Sequence, residues 1–279
     1  MNRKTCAGLA LLAIVACMMQ PVSARAAQDD ATLLETLDAY VEGWYAGDAA
    51  RIETATHPDL IRRKPALSGT DGAIQLEEID QLGLLVAARS GLGRRAPAED
   101  RKRMTTEVLD QRSVSALALV ETGGTFSYLQ LVRNAGRWQV LNVLWEPKLS
   151  ADEGRDMHDA ALVEATVQDY LQGWYTGDAE RMRRALHPEL IKRKPALLNR
   201  AGDIRIDTLD ANNMIAATRA GRGTRTPAAK QLKTLKVLDI RGRSALALLE
   251  TGEFFDYIAL ARNKGQWLIV NVLWEPNIE

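Results

Sequence analysis

Histidine is scarce in this chain, with three copies in 279 residues. Two of them share one context: His57-Pro58 in "GWYAGDAARIETATHPDLIRRKPAL" (43–67) and His187-Pro188 in "GWYTGDAERMRRALHPELIKRKPAL" (173–197). An imidazole beside a cavity can move a proton near neutral pH if a carboxylate is in reach. Asp48 or Glu146 could serve His57, and Asp178 or Glu275 could serve His187. His57 and His187 are therefore the catalytic candidates. Their alternative is structural: a ring at a helix end that bonds the last carbonyls, at the negative end of the dipole.

Other residue types suggest binding. Each His-Pro is followed by a basic cluster, Arg62-Arg63-Lys64 or Lys192-Arg193-Lys194. On an extended strand Arg63 and Arg193 point one way and their neighbours the other. A guanidinium that reaches a pocket mouth would pair with an anionic ligand; otherwise the cluster is a solvated strand flank. All six Trp and six Tyr have a mate in the other copy, and most such rings fill core. Tyr45, Tyr128, Tyr175 and Tyr257 are the ones expected to offer a hydroxyl to a ligand. Asn142, Glu146, Asn271 and Glu275 are polar among apolar strand residues, so they need a partner or a ligand if that face is enclosed. With Arg63 and Arg193 they complete the ligand-binding candidates.

Several classes are excluded. "RSGLGRRAP" (89–97) and "RAGRGTRTP" (219–227) follow a helix instead of preceding one and lack G-K-[ST], so they read as helix stops, not phosphate cradles. Signatures of zinc peptidases and serine hydrolases are missing. No metal or cofactor is expected. Lys+Arg and Asp+Glu both number 36, which gives no global pull toward nucleic acid.

The elements that must carry these residues come in two rounds. Leu33, Leu37, Tyr40, Val41 and Trp44 recur at helical spacing, as do Val163, Val167, Tyr170, Leu171 and Trp174. Gly47 reads as a helix stop and Asp48 as the N-cap of a short second helix, which His57-Pro58 ends. "LIRRKPAL" has extended bias. A third helix is predicted from Ile79, Leu82, Leu85 and Val86, ending near Gly91. Then "SALALVET", "FSYLQLVRN" and "RWQVLNVLWEP", separated by Gly-containing turns, predict an antiparallel meander. Helices followed by strands imply an α+β fold.

Strict alternation along the last strand puts Trp138, Val140, Asn142, Leu144 and Glu146 on one face and Gln139, Leu141, Val143 and Trp145 on the other. The latter face is wholly apolar in the second copy: Leu268, Val270, Val272 and Trp274. An apolar second face calls for another sheet, which the twin copy can supply. The expected architecture is thus two domains (29–147 and 159–279) joined by a linker (148–158) and packed as an intramolecular pseudo-dimer. The first 26 residues read as a secretory signal: Arg3-Lys4, an apolar run to Met19, and Ala24-Arg25-Ala26 as the cleavage site. "IVAC" (14–17) offers a rival lipoprotein site, so membrane attachment is expected only if Cys17 is lipidated. Periplasmic or secreted localisation follows.

Together, "YVEGWYAGDAARIETATHPDLIRRKP" and "GRWQVLNVLWEP" resemble the "putative lumazine-binding" subgroup of the NTF2-like (nuclear transport factor 2-like, SnoaL-like) superfamily, across both units. The resemblance implies a cone, a curved antiparallel sheet around about three helices with a pocket at its open end. It implies no particular activity. The leading expectation is an exported, non-catalytic protein binding a small apolar or partly anionic molecule in each of two cones. Alternatives are a cofactor-free isomerase, cyclase or dehydratase using His57/His187 or a nearby carboxylate, and a structural or partner-binding module of the cell envelope.

Overall fold

The computed structural model describes residues 22–150 and 155–277. The apolar leader run and both cysteines lie outside the described residues. Within them, no helix is long and apolar enough to cross a membrane.

The first domain opens with α1 (Val22–Ala46), α2 (Ala49–Ala55), β1 (Thr56–Leu67), β2 (Ile74–Asp80), α3 (Gln81–Arg89) and a short α4 (Ala98–Lys102). The meander follows: β3 (Thr105–Gln111), β4 (Ser115–Glu121), β5 (Thr125–Asn134) and β6 (Arg137–Pro147). The second domain repeats the plan with α5 (Ala160–Thr176), α6 (Ala179–Ala185), β7 (Leu186–Leu197), β8 (Ile204–Asp210), α7 (Ala211–Arg219), β9 (Thr234–Arg241), β10 (Ser244–Glu250), β11 (Phe254–Asn263) and β12 (Gln266–Pro276).

Local chemistry accounts for the helix boundaries. Gly47 and Gly177 take left-handed φ angles of 66° and 73°, which glycine adopts without a Cβ clash. Asp48 then accepts from Arg51 N at 3.1 Å, and Asp178 from Arg181 N at 2.9 Å, capping α2 and α6. Asp80 and Asp210 cap α3 and α7 in the same way. The predicted third helix needs correction at its face. Ile79 belongs to β2, and α3 buries Leu84, Leu85 and Ala88 while Leu82 and Val86 face solvent.

Each sheet has six strands, in the orders β2-β1-β6-β5-β4-β3 and β8-β7-β12-β11-β10-β9. The meander is antiparallel as expected. β1 joins it in parallel against β6, so the last strand of each domain lies inside its sheet. The β1–β6 register breaks between Thr56 and Ile61, where His57-Pro58 sits. A proline without N–H is tolerated in such a gap.

A bulge decides what each face of β6 meets. Gln130 pairs with Asn142 but Leu131 pairs with Val140, leaving Leu141 as the extra residue; Val270 is its equivalent in β12. The bulge resets the alternation. Trp138, Val140, Val143 and Trp145 consequently all face the helices, while Leu141 and Leu144 face the other domain. Trp267, Ile269, Val272 and Trp274 do the same in the second domain, opposite Val270 and Leu273. This corrects the expectation from strict alternation: Val143, Trp145, Val272 and Trp274 are not part of the seam between domains.

The two sheets pack on each other. One buried apolar cluster draws Leu117, Leu119, Phe126, Tyr128, Leu141 and Leu144 from the first domain and Leu246, Leu248, Phe255, Tyr257, Val270 and Leu273 from the second. Hydrogen bonds cross the seam in reciprocal pairs. Tyr128 Oη donates to Asp239 at 2.9 Å, and Tyr257 Oη to Asp110 at 2.6 Å. Ile74 N donates to Asn263, and Ile204 N to Asn134, each at 3.1 Å.

Candidate functional site

A cavity of about 520 Å³ opens inside the first cone. Helix α1 supplies Tyr40, Trp44 and Tyr45 to its wall, because these recur on the face turned toward the sheet. α3 adds Leu84 and Ala87. The sheet closes it with Arg62 from β1, Val120 from β4, Thr125 and Ser127 from β5, and Trp145 from β6. The wall is mostly apolar and aromatic with few polar groups, a common composition for small-molecule sites.

Two cations line this space: Arg95, which is exposed, and Arg62, which is half-buried among the aromatic rings. The Arg62 guanidinium carbon stands 3.8 Å from the Trp145 ring centre and 5.9 Å from that of Trp44. The Tyr40 hydroxyl is beside it: burial raises the Tyr40 pKa, and the Arg62 charge opposes that rise. Burial likewise lowers the Arg62 pKa, with Tyr40 countering. Among the described residues no carboxylate pairs with Arg62. Asp100, the one acidic residue in the wall, packs against Gly123 and Gly124 and acts on Tyr45.

The equivalent position of the second cone is different. Lys192 replaces Arg62, and its Nζ lies 2.8 Å from Asp256 Oδ1 and 2.7 Å from the Tyr170 hydroxyl. Tyr170 donates to Asp256 Oδ2 at 2.9 Å. Burial pushes Tyr170 well above its usual range, helped by the Asp256 charge. Asp256 stands where the first domain has Ser127, and Phe254, edge-on to Trp274, where it has Thr125. The two cones are therefore not equivalent, contrary to the expectation from the repeat.

The candidate residues divide between two places. Tyr45 lines the cavity. Tyr175 is its buried equivalent, its phenol pushed up to about 12 mainly by burial. The remaining candidates for ligand contact lie at the seam between the domains. Arg63 donates to the carbonyls of Glu189 at 2.8 Å and Val270 at 3.0 Å. Arg193 donates to Asp59 O and Asn142 Oδ1, both at 2.8 Å, and burial lowers its pKa to about 10. Asn142 also donates to Gln130 at 2.8 Å. Asn271 has neither amide atom partnered among the described residues: Ala259 replaces the glutamine that accepts from Asn142, and Arg63 bonds backbone carbonyls where Arg193 bonds the asparagine. Glu146 accepts from Ser244 Oγ at 2.6 Å, and Glu275 from Ser115 Oγ. Tyr128 and Tyr257 make the tyrosine–aspartate bonds described above.

Neither His57 nor His187 lines the cavity. Each is buried with Nδ1 accepting a backbone N–H two residues on, from Asp59 at 3.1 Å and Glu189 at 3.2 Å. Each also faces the arginine arriving from the other domain, Arg193 or Arg63. Burial lowers both histidine pKa values, against the pull of Asp59 or Glu189. The expected bond to the helix's last carbonyls is replaced by this turn. Among the described residues no cluster of His, Cys, Asp or Glu is placed to hold a metal.

Arg62, Tyr40, Trp44, Trp145 and Ser127 line the site without being among the ligand-binding candidates expected from the sequence. The signal for Arg62 was present, since alternation already separated it from Arg63. Nothing in one copy alone marked Ser127; its contrast with Asp256 did.

Two mixed sheets, each wrapped around its own helices, make a tandem pair of α+β domains. The chain belongs to the family described as "Putative lumazine-binding", whose profile matches residues 28–146 and again 158–275. Similar solved structures include an NTF2-like protein of unknown function from Silicibacter pomeroyi, 14% identical, covering 44% of this chain and 98% of that one with a TM-score of 0.35. Another, from Pseudomonas putida, is also 14% identical, covering 45% of this chain and 92% of that one with a TM-score of 0.35. A comparison with curated proteins finds no match.

Proposed function

We propose that this chain is an exported, non-catalytic protein that binds a small, partly apolar molecule inside its first cone. The observation that carries this reading is the cavity itself: about 520 Å³, walled by Tyr40, Trp44, Tyr45 and Trp145, with the Arg62 guanidinium set against the Trp145 ring. The histidines that would favour proton transfer bond the chain's own backbone outside that wall. The family description agrees with small-molecule binding but does not identify the ligand. Export rests on the leader-like first 26 residues alone.

Native mass spectrometry of the protein purified from its host tests this. A retained small molecule is expected, lost in Thr125→Phe, which copies the residue at the equivalent position of the second cone, and kept in His57→Asn. Retention unaffected by Thr125→Phe, or absent from the wild-type protein, refutes cavity binding.

A further inference from the structure

The second cone displays what the first one lacks. In the second, a lysine, a tyrosine hydroxyl and a carboxylate form a closed buried set: Lys192, Tyr170 and Asp256, with all three spacings between 2.7 and 2.9 Å. In the first, the cation and the tyrosine are kept as Arg62 and Tyr40, but the carboxylate is gone, replaced by the short side chain of Ser127. The bulk of Phe254 is also gone, replaced by Thr125. The space freed by these two smaller residues is part of the cavity. A cation partly withdrawn from water, as half-buried Arg62 is, gains from a ligand that brings the counter-charge it lacks. The guanidinium is a planar fork suited to two carboxylate oxygens, and the indole rings of Trp145 and Trp44 beside it offer flat apolar surface.

We propose that the first cone takes a small aromatic carboxylate, its carboxylate held by Arg62 and Tyr40 at the place Asp256 fills in the second cone, its ring among Trp44, Trp145 and Leu84. The second cone is self-neutralised and takes no such ligand, so each chain binds one. Asp100, set against the β4–β5 turn, repels a second acidic group and favours ligands with one.

This rests on the cavity-binding reading, and the test separates the two. Full-length protein is titrated calorimetrically with 2-naphthoate and with its neutral isostere 2-naphthamide. The expected result is one site per chain and a preference for the carboxylate of about tenfold or more, as a desolvated charge pair supplies. Arg62→Gln abolishes the preference. Ser127→Asp, which installs an internal counter-charge and guards against misfolding in the first variant, abolishes it as well. Phe254→Thr combined with Asp256→Ser raises the stoichiometry to two. Equal binding of acid and amide, or a preference that survives Arg62→Gln or Ser127→Asp, overturns the proposal and leaves cavity binding standing. If neither probe binds, the molecule retained in native mass spectrometry decides: a carboxylate supports the proposal, and a neutral compound sinks it. No retained molecule at all removes cavity binding instead.

Discussion

The buried histidines set a pH response that can be predicted with its sign. Burial lowers both pKa values in the folded protein, so the unfolded chain binds more protons as pH falls through the ordinary histidine range. Stability from this source is present above about pH 6.5 and lost below it, toward the lower folded values. Asp239 and Glu275 work the other way. Burial raises both, so the fold takes up their protons first and gains stability as pH falls through the carboxylate range. The urea midpoint should therefore drop between about pH 7.5 and about pH 5.5, and the drop should shrink in His57→Asn/His187→Asn, whose amide oxygen can still accept the N–H of Asp59 or Glu189. An unchanged slope in the double variant would mean the imidazoles titrate alike folded and unfolded.

Element boundaries show how far the sequence could be read. The first helices, their glycine stops and aspartate caps, and β6 from Arg137 to Pro147 were all legible, because each depends on neighbours in the chain. β2 and β3 were not: "IQLEEID" and "TTEVLDQ" are polar edge strands that bury few side chains and show little alternation. The bulge at Leu141 was also hidden, since it depends on pairing with β5, and missing it moved Asn142 and Glu146 from seam to cavity. The glycine-rich loops stop α3 and α7, as their sequence predicts, and have a second use. A Cβ on Gly93 would lie 2.1 Å from the carbonyl oxygen of Trp44, and one on Gly223 2.5 Å from that of Trp174. Gly93→Ala should thus cost at least the ~1–3 kcal/mol typical of overpacking, measured by denaturant unfolding. A neutral result would show that the loop can retreat from α1.

At the scale of the molecule, the halves share a core instead of merely touching. Leu117, Leu119 and Phe126 are nearly solvent-free only because the second sheet covers them. The full chain should therefore unfold in one transition, with intrinsic fluorescence and far-UV circular dichroism coinciding. A fragment ending at Ser150 should self-associate in sedimentation velocity, since its seam offers a large apolar patch. Two resolved transitions, or a monomeric fragment, would show the domains to be independent.

The place of β12 has a consequence for synthesis on the ribosome. It lies between β7 and β11, yet among the strands of its sheet it emerges last. Until it does, the second domain exists as two unconnected partial sheets, β7–β8 and β9–β11, with open inner edges. A nascent chain arrested at Gly265 would hold nearly every residue of that domain and still be unable to close it, so premature termination there exposes a template for aggregation, not a shortened binder.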